Sequence, residues 1–296
     1  MHLFQNKVDF YITNVCNLTC QRCNRFNNHD FKGWQRWSDY YNDYQKWSQL
    51  VELKSATIMG GEPFLNPTIG DWIQGINSLF EIEIQVLTNG TRFAHAKHLY
   101  PMFFYRGKKS NFQNHIGVSL HNPNDFESVD ADIRRFLEGT IILKPKGQND
   151  WNSDWQYMDS NGVMINVYIS DQFGPASILE FSPGQFTLHN SDPEMAHRSC
   201  NFANFKSYHF IRGKLYKCGP VALFPEFDQQ FSFNISTEDR ELINSYQPLT
   251  PENYVDYHQE FFKNLDNPLP QCKFCPTYYN PIKINPVRKG LEKLNS

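Results

Sequence analysis

Apolar and polar positions along this chain repeat with two periods, and the first half switches between them in a regular order. Val8, Phe10 and Ile12 alternate with Asp9, Tyr11 and Thr13, which predicts a strand from Val8 to Thr13 with one buried face. Ala56 to Met59 is a short apolar run that ends at Gly60-Gly61. Ile69, Trp72, Ile73, Ile76, Leu79 and Phe80 recur at helical spacing after Pro67-Thr68. Ile82 to Leu87 reads as a strand ending at Thr88-Asn89-Gly90, and His115 to Leu120 as one ending at His121-Asn122-Pro123. Thr140 to Leu143 and Val163 to Ile169 complete the series. Strands separated by helices predict an α/β fold with a parallel sheet, open or curled into a partial barrel. Chemistry in such sheets sits at the C-terminal ends of the strands.

After about residue 180 the rhythm changes. Tyr208 to Tyr216 reads as a hairpin turning at Arg212-Gly213-Lys214. Thr250-Pro251-Glu252 is a helix start, with Tyr254, Tyr257, Phe261 and Leu265 on one face. Two domains are expected, 1–180 and 181–296, without internal repeats.

Composition narrows the class. Apolar residues make up 40% and charged residues 20%, which excludes a disordered chain. A net charge of −3 argues against nucleic-acid wrapping or adhesion to an anionic membrane. No run of about 18 apolar residues predicts a membrane span. Met1 to Phe10 carries no apolar signal segment, so a cytoplasmic protein is expected. Ten histidines show no ligand spacing, and Lys283, Arg288, Lys289 and Lys293 read as a solvated face.

Seven cysteines fit a disulfide framework poorly and split as three plus four. Cys16-Asn-Leu-Thr-Cys20-Gln-Arg-Cys23 follows the first predicted strand. Three thiolates at that spacing can hold three irons of a [4Fe–4S] cluster and leave the fourth open. Zinc, or three unrelated buried thiols, is the alternative. Cys200, Cys218 and the pair Cys272-Lys-Phe-Cys275 would make a fully ligated site, which in isolation reads as structural zinc.

The first motif together with Gly60-Gly61-Glu62-Pro63 after the second strand closely resembles the radical S-adenosylmethionine (SAM) superfamily, over residues 8–170. The resemblance implies a partial (β/α)6 barrel in which Cys16, Cys20 and Cys23 ligate a [4Fe–4S] cluster whose open iron chelates SAM. Gly60, Gly61, Glu62 and Pro63 would contact the methionyl amine. Thr88 and Asn89, then Ser119 and His121, would supply further SAM contacts. Where the family often has an aromatic residue before the third cysteine, this chain has Arg22. Behind such a core, Cys200-x12-Gly213-x4-Cys218 and Cys272-x2-Cys275 resemble the SPASM/twitch subgroup in its short twitch form. That implies a small C-terminal domain with a hairpin and helix, holding one auxiliary [4Fe–4S] cluster that accepts the second electron.

The implied activity is reductive SAM cleavage to a 5′-deoxyadenosyl radical, hydrogen abstraction and substrate oxidation, with a flavodoxin- or ferredoxin-like donor. In cysteine layout the nearest resemblance is to a twitch-domain dehydrogenase of an amino-cyclitol alcohol. Only 15 residues precede Cys16, too few for a peptide-recognition domain, which tilts the expectation toward a small-molecule substrate. The alternatives are a maturase acting on a ribosomally made peptide and a non-catalytic iron–sulfur scaffold or electron carrier. The proton-accepting residue carries no motif. The three-plus-four split predicts about eight irons per chain after anaerobic reconstitution, and about four once Cys16, Cys20 and Cys23 are all alanine. Iron quantitation checks both, and four irons beside stoichiometric zinc in the wild type would exclude the second cluster.

Overall fold

A computed structural model describes residues 2–4, 8–108, 112–149, 151–204, 206 and 208–289. Met1 and Lys293 lie outside them. The frame is a nine-stranded sheet. Its strands in chain order are β1 (Val8–Tyr11), β2 (Ala56–Met59), β3 (Ile84–Thr88), β4 (His115–Leu120), β5 (Ile141–Pro145), β6 (Trp155–Asp159), β7 (Met164–Ile169), β8 (Tyr208–Ile211) and β9 (Lys214–Tyr216). Across the sheet the order is β9-β8-β1-β2-β3-β4-β7-β6-β5. Pairing is parallel from β8 through β1, β2, β3 and β4 to β7. The edges are antiparallel, β9 on β8 at one side and β6 then β5 beyond β7 at the other. The fold is therefore α/β with a sheet dominated by parallel pairs.

Two features depart from the sequence pattern. The segment Ile141–Pro145 does not extend the parallel series but pairs antiparallel with Trp155–Asp159, a strand the pattern leaves unmarked. The connection between them is too short to hold a crossover helix, so a hairpin is the available geometry. The strand is inconspicuous because Gln156 and Asp159 are buried through hydrogen bonds rather than apolar contact. The second departure is the hairpin after residue 180, which joins the main sheet, Tyr208↔Val8 to Phe210↔Phe10 in parallel register.

Alternation gives the sheet two different faces. Phe10, Ile58, Val86, Ile116 and Phe210 fall in one apolar core with α1 (Trp37–Leu50), α2 (Ile69–Phe80) and α3 (Phe126–Phe136). The neighbouring registers put Asp9 beside both His209 and Thr57, and Gln85 beside Thr57, on the opposite face. That face is covered too. α4 (Gly219–Phe231) and its surrounding loops form a second core of Tyr11, Phe26, Phe31, Leu223, Phe224, Phe227 and Phe274.

Aromatic rings hold the hairpin to the frame. Phe10 and Phe210 lie 5.1 Å apart, with Tyr44 5.4 Å from the first and Trp47 5.3 Å from the second. Trp47 Nε1 donates to Gly213 O at 2.7 Å, and Gly213 N donates to the Tyr44 hydroxyl at 3.2 Å. The predicted face of α2 is the buried one, through Ile69, Trp72, Ile73, Ile76 and Phe80. The helix Tyr254–Lys263 buries Tyr254 and Phe261, as its spacing predicts. The expected solvated tail is only partly so. Lys289 is half-buried, its Nζ on Asp30 at 2.8 Å and on Asn27 O at 3.1 Å, because it folds back onto the loop after Cys23. Among the described residues, no helix is long and apolar enough to cross a membrane.

Gly75 marks the crossing of α1 and α2. A Cβ there would stand 2.1 Å from Trp37 Cε2, inside the ring that stacks on Tyr44 at 5.0 Å. Alanine favours a helix over glycine by about 1 kcal/mol, whereas overpacking costs about 1–3 kcal/mol. The ring edge is held on both sides, so overpacking wins. Gly75→Ala should destabilise the fold by about 1–2 kcal/mol in urea unfolding, and a neutral or stabilising result would contradict the packing.

Candidate functional site

The first thiol motif begins where β1 ends, and its starting point is set by β2. Gly61 N donates to Thr13 O at 2.7 Å, and Glu62 N to Val15 O at 2.8 Å. A Cβ on Gly60 would be 2.4 Å from Thr13 O, and one on Gly61 2.1 Å from Val15 O. Both positions therefore exclude any side chain, and the chain enters Cys16 pressed against the Gly-Gly edge.

Glu62 secures the next strand end. Its carboxylate is fully buried and accepts from Thr88 Oγ1 at 2.7 Å, Asn89 N at 2.8 Å and Phe64 N at 3.1 Å. Burial raises its pKa above the ordinary carboxylate range, while these three donors and the Arg92 charge oppose the rise. Asn89 in turn reaches Asn17 Oδ1 at 3.0 Å and stands 3.9 Å from Cys16 Sγ.

Cys16, Cys20 and Cys23 pack together with Leu18 against Ile282 and Ile284. They line a cavity of about 130 Å³ together with Gly60, Gly61, Thr88, Asn89, Ser119 and His121. Six of the eight residues expected to bind the cofactor thus share one wall with the three thiols. Glu62 and Pro63 do not line it; both are buried, and Glu62 holds the Thr88-Asn89 turn from behind. Burial raises the Cys16 thiol to about 12, helped by the negative charges of Glu62 and Cys23. Cys20 moves the same way through burial and then the neighbouring Cys23 and Cys16. His121 Nδ1 lies 2.9 Å from Ser170 O, so that nitrogen carries the proton and Nε2 is left as an acceptor. Burial lowers the His121 pKa and keeps the ring neutral.

The other four thiols, Cys200, Cys218, Cys272 and Cys275, line an adjoining cavity of about 410 Å³. Cys218 is the residue before α4, where the helix dipole favours a thiolate. Leu269 N donates to Cys272 Sγ at 3.3 Å, and Ser177 Oγ lies 3.3 Å from Cys275 Sγ. Burial first, then the other cysteines of the set, pushes the Cys275 thiol up to about 12 and raises Cys218 further. Lys217, buried beside them, donates its Nζ to Asn264 O at 3.2 Å and to Asn267 O. All seven thiols are free. Among the described residues, no three Cys, His, Asp or Glu side chains converge on the geometry of a single metal ion.

The two cavities share walls: Asn24, Arg25, Met59, Leu87, Ser119, His121 and Phe173 line both. Sequence reasoning did not single out Arg25, Asp9, His209 or Lys217. Asp9, Arg25 and His209 come together only once β8 lies beside β1, and Lys217 meets Asn264 and Asn267 from a distant segment. Arg22, the residue before the third cysteine, has φ +60°, lines the larger cavity and donates Nη1 to Asn280 O at 2.8 Å.

Fold and site together define an α/β protein with two thiol-lined cavities on the covered polar face of its sheet. No protein-family model and no curated protein matches this chain. Among solved structures, part of it is similar to Streptococcus suis SuiB bound to S-adenosylmethionine, at 18% identity and a TM-score of 0.33. That overlap covers 42% of this chain and 27% of the SuiB chain.

Glu62→Gln tests the tie between the strand ends. The amide keeps one acceptor but turns a second donor toward the buried Asn89 N–H or Thr88 hydroxyl, a mismatch worth about 1–3 kcal/mol. The variant should melt lower and lose amide-exchange protection at Asn89. Wild-type protection there would show that Glu62 does not organise the turn.

Proposed function

We propose that this chain is a radical SAM enzyme with an auxiliary iron–sulfur cluster, acting as an oxidoreductase on a small molecule. One observation carries the reading. The three thiols of C-x3-C-x2-C, the Gly60-Gly61 edge, the Thr88-Asn89 turn, Ser119 and His121 surround one cavity, and the remaining four thiols surround its neighbour. The donor sets suit the groups. All seven cysteines are unpaired thiols, and both cavities are larger than a site for one ion needs.

Cys16, Cys20 and Cys23 would hold a [4Fe–4S] cluster through three thiolates, and Cys200, Cys218, Cys272 and Cys275 a second through four. When bound, the first cluster supplies the electron that cleaves SAM and so generates the radical that removes a substrate hydrogen. The chain's own residues do the rest. Gly60 and Gly61 present backbone without side chains, so a ligand can approach closely. Asn89, fixed by Glu62 and Asn17, offers amide groups at the thiol wall. His121 offers a neutral Nε2 where the two cavities meet. Phe173, Phe202 and Phe224 line the larger cavity with rings, which favours exclusion of water from a radical. On this reading residues 1–180 form the partial barrel and 181–296 the auxiliary domain, and the electron enters from a flavodoxin- or ferredoxin-like donor. Burial raises the pKa of these thiols, so loading iron must release protons and should weaken as pH falls.

The reduced protein should convert SAM to 5′-deoxyadenosine and methionine, and Cys20→Ala should abolish this. The Cys272→Ala, Cys275→Ala pair should still cleave SAM but uncouple it from oxidation, taking product per deoxyadenosine from about one toward zero. Circular dichroism and iron content establish beforehand that the double variant is folded and keeps its first cluster. Reduced, iron-loaded wild type that makes no deoxyadenosine would overturn the radical reading. A folded double variant with an unchanged ratio would make the second site structural.

A further inference from the structure

Arg25 stands between the two thiol sets. It follows Cys23 closely in sequence, is 6% exposed, and lines both cavities. Its guanidinium lies over the ring of Phe202, 4.6 Å from the centroid, on the segment that begins at Cys200. A Cβ on Gly219, the residue after Cys218, would stand 3.1 Å from Nε, so the group packs on the start of α4. One buried cation thus meets chain that carries cysteines of both sets.

No carboxylate at hydrogen-bond distance cancels this charge. Nη1 donates to Asn24 Oδ1 at 3.1 Å, and Nη2 stands 2.6 Å from His209 Nε2. Asp9 is 3.9 Å from Nη2 and lines neither cavity, so the positive member of the pair is the one that faces the thiols. Burial works against the Arg25 charge; Asp9 and Tyr11, then Cys23 and Cys218, one thiol of each set, support it. A guanidinium keeps its proton in either case.

The thiols decide what such a charge does. As cluster ligands they are thiolates, three in one cavity and four in the other, and they outweigh the single cation between them. A cluster that takes up one electron gains one more negative charge, with no bond made or broken. A fixed positive charge beside it favours that reduced form, the more so in a wall shielded from water. No aspartate, glutamate or lysine lines the larger cavity to mask the effect.

We infer that Arg25 is a positioning residue for electron transfer: its buried positive charge raises the reduction potential of the auxiliary cluster and so suits it to accept an electron. This deepens the function proposed above and rests on it for the presence of that cluster. Asp9, behind the guanidinium, moderates the effect.

Potentiometry on the anaerobically reconstituted full chain tests this, with dithionite as reductant and electron paramagnetic resonance as the readout. Added SAM alters the signal of the first cluster, and the signal it leaves unchanged belongs to the auxiliary one. Arg25→Met keeps an unbranched side chain and removes the charge. It should leave the auxiliary cluster about tenfold less reduced at the wild-type midpoint, a fall of about 59 mV. Arg25→Lys keeps the charge and should recover most of that fall. Asp9→Asn removes the opposing charge and should raise the midpoint. Loosened packing would admit water, which favours the more highly charged reduced form, so damage to the fold would not produce the fall. If Arg25→Met does not assemble the cluster, Arg25→Gln and Asp9→Asn decide. A midpoint unchanged or raised in the neutral variant, or lowered in Asp9→Asn, overturns the inference. Iron content and SAM cleavage are measured on the same wild-type sample. A full complement of about eight irons with an unmoved midpoint sinks this inference alone. A moved midpoint without SAM cleavage sinks the radical reading alone, and zinc in place of the second cluster overturns the auxiliary cluster and this inference together.

Discussion

The site depends on one close approach, that of Gly60 and Gly61 to the backbone of Thr13 to Val15. Two backbone hydrogen bonds close the gap, and no Cβ fits in it. The contact fixes where the cysteine loop departs from β1, and Glu62 then passes the constraint to β3. A buried carboxylate is costly unless its lone pairs are filled, and Glu62 fills them with Thr88 Oγ1, Asn89 N and Phe64 N. Three strand ends are thereby locked before any ligand arrives. Preorganisation of this kind moves the ordering cost from binding to folding.

Much of this frame was legible in the sequence. The strands at Val8, Ala56, Ile82 to Leu87, His115 and Val163, and the apolar face at Ile69 to Phe80, follow from apolar periodicity, which burial enforces directly. The division of the cysteines into two sets was legible through their spacing, and each set lines its own cavity. What stayed hidden depends on pairing between distant segments. Periodicity reports that Tyr208 to Tyr216 is a hairpin, not that Phe210 will settle against Phe10 under Tyr44 and Trp47. β6 was hidden because Gln156 and Asp159 are buried by hydrogen bonding and so read as polar. Lys289 read as a surface charge because no local pattern announces its return to Asp30.

The placement of β8 and β9 changes what the second thiol set can do. Were the chain after residue 180 attached only by a linker, the distance between the two cavities would vary with the linker. Here β8 continues the parallel sheet beside β1, and Trp47 and Tyr44 hold its turn. Neighbouring strands are held about 4.8 Å apart by their hydrogen bonds, so the separation is set by the sheet. A fixed separation suits electron transfer between two groups and suits a ligand that must touch both walls.

The same pairing explains why the chain tolerates buried polar groups. Helices α1 to α3 cover one face of the sheet with apolar contact, leaving Asp9, Thr57, Gln85 and His209 on the other. On a solvated face these residues would cost nothing, and their side chains would be freely replaceable. The second core instead covers that face, so every polar group beneath it needs a partner. Asp9, His209 and Arg25 answer part of that need among themselves. A fully apolar interior of the same shape would be at least as stable, because buried ion pairs seldom outweigh their desolvation. Arg25 Nε, with no hydrogen-bond partner among the described residues, is the part of that need left unmet.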